Sequence, residues 1–265
     1  MFKTRLLSGI LLVIIAFVTI CLGGDVLFVT LLAISLIGMM ELCQVVKVGK
    51  KLPGIVSYLA AAVYYFLLRA DRKEDILFLV ILFLVVLMAV YVFSFPAYGT
   101  EQIVMSFFAL FYVAVMLSYI YQTRLLEDGL FLVGLVFLCS WGCDTCAYCV
   151  GVLIGKHKMA PKLSPKKSVE GAVGGLLGAA LLGALYALAI SRWGGVSASP
   201  AAYALICFVG GMISMVGDLA ASAIKRNHEI KDYGKLIPGH GGILDRFDSV
   251  IFTAPAIYYL ALAIA

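Results

Sequence analysis

Long apolar runs separated by short polar connections fill this chain. About 20 consecutive apolar residues suffice for a helix to cross the hydrocarbon core of a bilayer. By that rule nine runs stand out, over residues 6–23, 26–46, 52–68, 76–95, 103–122, 130–155, 171–190, 202–224 and 247–265. The pattern predicts an all-α integral membrane protein of about nine transmembrane helices. No polar linker long enough to separate domains interrupts it. Residues 1–265 are therefore expected to form a single polytopic membrane domain. Its N-terminal spans cover 1–129, and the spans and loops bearing candidate chemistry cover 130–265.

Charge gives the pattern a direction. With the N-terminus placed in the cytoplasm, alternation puts the N-terminal tail and the loops near 47–51, 96–102, 156–170 and 225–246 on the same side. Those segments hold Lys3, Arg5, Lys47, Lys50, Lys51, Lys156, Lys158, Lys162, Lys166, Lys167, Lys225, Arg226, Lys231, Lys235 and Arg246, fifteen of the twenty basic residues. The other side receives Arg69, Arg72, Lys73, Arg124 and Arg192. The asymmetry follows the positive-inside rule and predicts a cytoplasmic N-terminus and an external C-terminus. The 225–246 loop then faces the cytoplasm, in the inner (plasma) membrane.

Composition agrees with the pattern. Hydrophobic residues make up 63% of the chain, against roughly 45–50% in soluble domains. The net charge of +5 is accounted for by topology, so nucleic acid is not an expected partner. Seven cysteines, an odd number, all fall in apolar runs. Cys143, Cys146 and Cys149 recur every three residues and read as small packing residues rather than metal ligands or disulfides. The basic start followed by an apolar run has the outline of a signal peptide. With no small-x-small cleavage site, it reads as a retained first span.

Spans one to five are chemically quiet except for Glu41. That acid reads either as an interfacial residue beside Lys47 or as a residue lining a site. Span six differs: WGCDTCAYCVG buries Asp144 deep in an apolar run, with Tyr148 one turn later on the same face. An acid inside a span needs a partner, a proton or a cation. The basic loop KHKMAPKLSPKKSVEG comes next, bringing Lys166 and Lys167 to the membrane surface. Such lysines suit anionic headgroups or nucleotide phosphates, or serve topology alone. Span seven is rich in Gly and Ala, which permits close packing within the chain or across a homodimer.

Span eight runs into the densest charge in the chain. Asp218, Ser222, Lys225 and Arg226 fall at i, i+4, i+7 and i+8, one helical stripe from within the membrane to its cytoplasmic edge. PGHGG comes after it, with glycines that let backbone approach a ligand. Asp245 and Asp248 then stand one turn apart at the start of span nine. Asp144, Asp218 and Asp245 are oxygen donors suited to Mg²⁺. Lys225, Arg226, Lys231 and Arg246 can neutralise a polyphosphate. Phosphoryl-type transfer needs positioning and charge neutralisation more than covalent help, and this inventory matches that class. No Ser–His pair stands out for acyl transfer. His240 is open to a structural role or a phosphate contact.

Ser222, Lys225-Arg226, Lys231-Asp232, Pro238, His240-Gly241-Gly242, Asp245-Arg246 and Asp248 together read S-x2-KR-x4-KD-x5-P-x-HGG-x2-DR-x-D. This pattern resembles the C-terminal motif of the phosphatidate cytidylyltransferase (CDP-diacylglycerol synthase) family. WGCDTCAYCVG and SPKKSVEG resemble two further blocks of that family. Spans one to five match in character rather than by motif. Val169 departs from the family pattern, which has a bulky aromatic there. The resemblance implies an enzyme of phospholipid biosynthesis, a nucleotidyltransferase that converts CTP and phosphatidic acid into CDP-diacylglycerol and pyrophosphate with Mg²⁺. A second, monovalent cation near the carboxylates is compatible with it. The expected catalytic residues are Asp218, Lys225, Arg226, Asp245 and Arg246. Asp144, Lys166, Lys167, Ser222, Lys231, Asp232, His240, Gly241, Gly242 and Asp248 are expected to bind substrate, with metal at Asp144, Asp218 and Asp245.

Three rival readings are weaker. A CDP-alcohol phosphotransferase would carry D-G-x2-A-R…G-x3-D-x3-D, which is absent from the sequence. A transporter could use Asp144 and Asp218 as an ion path, but it has no evident need for the basic HGG segment. An inert structural subunit would hardly maintain so many costly charges near lipid.

Overall fold

The computed structural model describes residues 2–264, with side chains from Ser8 to Ala263. Lys3 and Arg5, which count toward the charge asymmetry, lie outside the described side chains, and Ala265 of the ninth run lies outside the described residues. Every one of the nine predicted runs carries a helix. In order they are α1 (Phe2–Leu22), α2 (Gly24–Val45), α3 (Leu52–Arg69), α4 (Ile76–Phe93), α5 and α6 (Thr100–Ala109 and Met116–Arg124), α7 and α8 (Gly129–Phe137 and Cys143–Ile154), α9 (Val169–Trp193), α10 (Pro200–Asn227) and α11 (Leu244–Ile264). Among the described residues, seven helical stretches between Gly24 and Asn227 are long and apolar enough to cross a membrane.

Two runs do not continue as plain α-helix. The fifth widens into a π-turn at Leu110–Val115, and the sixth at Leu138–Gly142. Such turns are common at functional sites, where the extra residue shifts the register of the next helical turn. The second ends just before Asp144.

The loop expected over 156–170 is partly ordered into a hairpin. Strands β1 (Lys158–Ala160) and β2 (Ser164–Ser168) pair antiparallel, with Lys158 opposite Ser168 and Ala160 opposite Ser164. Side chains alternate along a strand. Lys166 is exposed while Lys167 is half-buried and turned toward protein. Ser168 then caps α9, its Oγ accepting the Gly171 amide at 3.1 Å. That bond satisfies one of the helix's unpaired N–H groups.

The chain forms two compact units. The first comprises Met1–Ser118 with Ile230–Arg246, and the second Tyr119–Glu229 with Phe247–Ala265. In the first, α2 packs on α3 and on the first π-turn, and α3 packs on α4 and α5. Met39, Leu42 and Cys43 on α2 are fully buried there. In the second, α9 lies along both α8 and α10. The glycines of α9 are what permit this. A Cβ on Gly178 would sit 2.6 Å from Cys146 Sγ, and one on Gly183 would sit 2.6 Å from the Tyr203 carbonyl. The small residues of span seven therefore serve packing within the chain. Cys146 and Cys207 are the knobs against which those glycines fit.

Candidate active site

The second unit gathers one group of predicted residues together with three that had no place in the site expected from the sequence, Lys158, Met159 and Met215. Asp144 and Tyr148 come from α8, Lys158 and Met159 from β1, Lys166 and Lys167 from β2, and Met215 and Asp218 from α10. They line a cavity of about 610 Å³, with Val152 also in its wall. Its chemistry is divided. Three lysines and two carboxylates face Tyr148, Val152 and two methionines. Tyr148 and Val152 also stay largely exposed, at 72% and 67%.

Asp218 is the hub of this cavity. Lys167 Nζ donates to Asp218 Oδ2 in an ion pair, and Ser222 Oγ donates to Oδ1 at 3.4 Å. Ser222 lies one turn along α10, so the stripe read from the sequence is formed as expected. Asp144 accepts from Ser249 Oγ at 3.5 Å. Asp248 feels the charges of Asp218, Lys225 and Asp144. Its Oδ1 accepts the Ser249 amide at 2.8 Å. Arg226 instead donates to the Leu163 carbonyl of the hairpin turn at 3.4 Å. Ser249 had no place in the sequence reading. Its only signal was its position beside Asp248.

The first unit gathers the other group. Lys231, Asp232, Lys235, His240, Gly241 and Arg246 line a cavity of about 540 Å³, together with Gly234 and the Ile237–Gly239 turn. Apart from Ile237 and Pro238 its wall is polar or backbone. Gly239 and Gly241 adopt φ of +79° and +87°, a region in which a side chain would be strained. The turn closes through an antiparallel bridge between Ile237 and Gly241, with Ile237 N donating to Gly241 O at 2.8 Å and His240 N donating to Ile237 O at 2.9 Å. His240 Nδ1 lies 2.8 Å from Ser8 Oγ on α1, and the same hydroxyl donates to the Pro238 carbonyl at 3.1 Å.

Asp245 stands behind this turn rather than in its mouth. It is 5% exposed, and its Oδ2 accepts the amides of Tyr233 at 2.8 Å and Gly242 at 3.0 Å. Asp144 and Asp218 belong to the second unit and Asp245 to the first. Among the described residues no three His, Cys, Asp or Glu side chains form a group able to hold a metal ion.

Comparison with known proteins gives a consistent picture. A model described as the cytidylyltransferase family matches residues 3–264. The phosphatidate cytidylyltransferase of Bacillus subtilis (strain 168) is 31% identical, over 97% of this chain and 97% of its own length. That of Staphylococcus saprophyticus is also 31% identical, over 99% of this chain and all of its own. The Synechocystis enzyme of the same name is 38% identical over 49% of this chain and 43% of its own.

Proposed function

The chain belongs to the cytidylyltransferase family, and from that premise we propose that it transfers CMP from CTP to phosphatidic acid, giving CDP-diacylglycerol and pyrophosphate. A phosphate oxygen of phosphatidic acid forms the new bond to the α-phosphorus of CTP. The bond from that phosphorus to the bridging oxygen breaks, and pyrophosphate leaves. The attacking phosphate is already ionised at neutral pH, so no strong general base is required. What the protein must do is bring two polyanions together and neutralise them.

The observation that carries this reading is the mixed character of the second unit's cavity. Lysines beside an exposed apolar wall suit an amphiphile with an anionic head. Lys158, Lys166 and Lys167 are assigned to the phosphate of phosphatidic acid, and Tyr148 and Val152 to the start of its acyl chains. The polar cavity of the first unit is assigned to CTP. Lys231, Lys235 and Arg246 pair there with its phosphates, and the glycines, free of side chains, let backbone approach them.

Mg²⁺ fits the donor chemistry of the second unit. Asp144 and Asp218 bring carboxylate oxygens to one cavity, where Lys167 pairs with Asp218. Mg²⁺ ordinarily takes one or two protein carboxylates and completes its shell with water and substrate phosphates, so a full protein cage is not needed. Asp144 and Asp218 would hold it, with Asp248 beside them. When bound, the ion neutralises charge developing on the phosphates. Asp245, expected from the sequence as a ligand, has an oxygen already engaged by two amides.

The seven long apolar helices, with α1 and α11, support nine crossings. The charge asymmetry supports a cytoplasmic N-terminus and both cavities opening to the cytoplasm, in a plasma membrane.

Pyrophosphate release tests the reaction directly. Purified protein in detergent with CTP, phosphatidic acid and Mg²⁺ should release pyrophosphate only when both substrates are present. Absence of release with any nucleoside triphosphate, from protein shown to be folded, would reject the reaction and bring the transporter reading forward.

A further inference from the structure

We propose that Glu41, on α2 among the N-terminal spans, is a positioning residue for CTP. It acts by fixing the glycine-rich turn that lines the first unit's cavity. The proposal rests on the assignment of that cavity to CTP.

Glu41 is 7% exposed, deep for an acid near a helix end. Its carboxylate spans the start of α11: Oε1 accepts the Ile243 amide at 3.1 Å and Oε2 accepts the Leu244 amide at 2.8 Å. The N-terminus of a helix leaves N–H groups without partners in its own backbone. Here the acceptor is a side chain 202 residues upstream of Ile243. Asp245 collects the neighbouring Gly242 amide together with that of Tyr233. Three consecutive amides, 242 to 244, therefore end on two buried carboxylates. His240, Gly241 and Arg246, which line the cavity, are attached directly to that clasp.

Two glycines show how closely the turn is drawn onto Glu41. A Cβ on either Gly234 or Gly242 would run into the Glu41 carboxylate. The turn has therefore closed around this one acid, and nothing bulkier fits. Electrostatics favours the arrangement, since a carboxylate at a helix N-terminus opposes the positive end of the dipole. A charge this buried is stable only while its hydrogen bonds are made. Glu41 and the turn are consequently fixed or displaced together. Glu41 lines neither cavity and has no assigned contact with substrate, so its effect must pass through the turn.

The test compares wild type, Glu41→Gln, Glu41→Asp, Gly234→Ala and the double variant Gly234→Ala with Glu41→Asp. KM for CTP, KM for phosphatidic acid, kcat and thermal unfolding are measured for each in detergent. The amide of Gln sets a donor against a backbone donor, so Glu41→Gln should raise KM for CTP about tenfold or more. KM for phosphatidic acid should change less than twofold. Glu41→Asp keeps the charge and should recover part of the loss. Gly234→Ala alone should also raise KM for CTP. In the double variant the shorter acid makes room for the methyl group and should relieve that effect. Unchanged KM values in Glu41→Gln would overturn the proposal. So would a fall in kcat that only follows the folded fraction. Lys231→Ala separates this failure from failure of the CTP assignment. If Lys231→Ala raises KM for CTP and Glu41→Gln does not, the assignment stands and the proposal falls. If Lys231→Ala raises only KM for phosphatidic acid, the assignment itself fails.

Discussion

The two cavities are built by opposite means. In the second unit the polar groups are side chains projected from regular elements. Asp144 stands on α8, Asp218 and Ser222 on α10, and Lys166 and Lys167 on a strand. In the first unit the wall is largely an irregular turn, and its shape depends on backbone amides caught by Glu41 and Asp245. The first design keeps an apolar wall beside the charges, since helices in lipid offer apolar faces at no cost. The second exposes backbone, which is tolerable in a membrane protein only where the chain is buried or meets water. The contrast suits an amphiphilic substrate in one cavity and a water-borne polyanion in the other.

Asp218→Asn should break this arrangement most severely. It discharges the group that pairs with Lys167 and accepts from Ser222. A loss of about 10³ in kcat is expected, roughly 4 kcal/mol of transition-state stabilisation. Unfolding temperature should fall little, because Asn keeps the shape and can still accept from Ser222. Near-normal pyrophosphate release in this variant would move the chemistry out of the second unit.

Asp245→Asn should act differently, and that difference sharpens the contrast. Asn can accept the Tyr233 and Gly242 amides, but without the charge that strengthens such bonds. Activity should fall about 10²-fold, mainly through KM for CTP. Stability should also fall by about 1–3 kcal/mol, as for a weakened buried hydrogen-bond centre. Denaturation in detergent and initial rates at varied CTP check both effects. A loss confined to kcat with unchanged stability would instead mark Asp245 as a ligand of the reacting groups.

Paired lysine variants compare the cavities at equal chemistry. Lys166→Ala should raise KM for phosphatidic acid several-fold and leave CTP nearly unchanged, while Lys231→Ala should do the reverse. Both side chains are exposed, and added salt should shrink both effects by screening. A crossed result, with either lysine acting on the other substrate, would remove the basis for assigning one substrate to each cavity.

How much of this could be read from the sequence differs between the same two regions. The helices were legible because hydrophobicity alone sets the lengths that lipid requires. The α10 stripe was legible because helical spacing is local: once 202–224 is a helix, Asp218 and Ser222 must share a face. The Lys167–Asp218 pair was not, because it joins a hairpin to a helix 51 residues away. The hairpin itself was hidden in a loop too short and too basic to show strand alternation. Glu41 was the hardest to read. A lone acid near the end of a span looks the same whether it faces headgroups beside Lys47 or reaches the amides of Ile243 and Leu244. Nothing in its neighbourhood distinguishes the two. Of the two glycines that reveal its role, Gly234 carried no signal of its own, and Gly242 lies in the PGHGG motif, whose glycines had already been given a ligand-binding reason.

The smallest expected effect falls on the apolar wall. Tyr148 is 72% exposed, although it lines the cavity that holds Asp144 and Asp218. A ring in that position can cover the first methylenes of an acyl chain, and each CH₂ removed from water contributes about 0.8 kcal/mol. Tyr148→Ala uncovers only part of that contact, because Val152 remains beside it. A two- to fivefold rise in KM for phosphatidic acid is expected, with KM for CTP unchanged. Chain length gives the sharper reading. With short-chain phosphatidic acids dispersed in detergent, the penalty should vanish for acyl chains too short to reach the ring and reach its full value once they pass it. A penalty independent of chain length would mean that Tyr148 meets the headgroup. The cavity would then distinguish its ligand by charge alone, and its difference from the first unit's cavity would lose its apolar half.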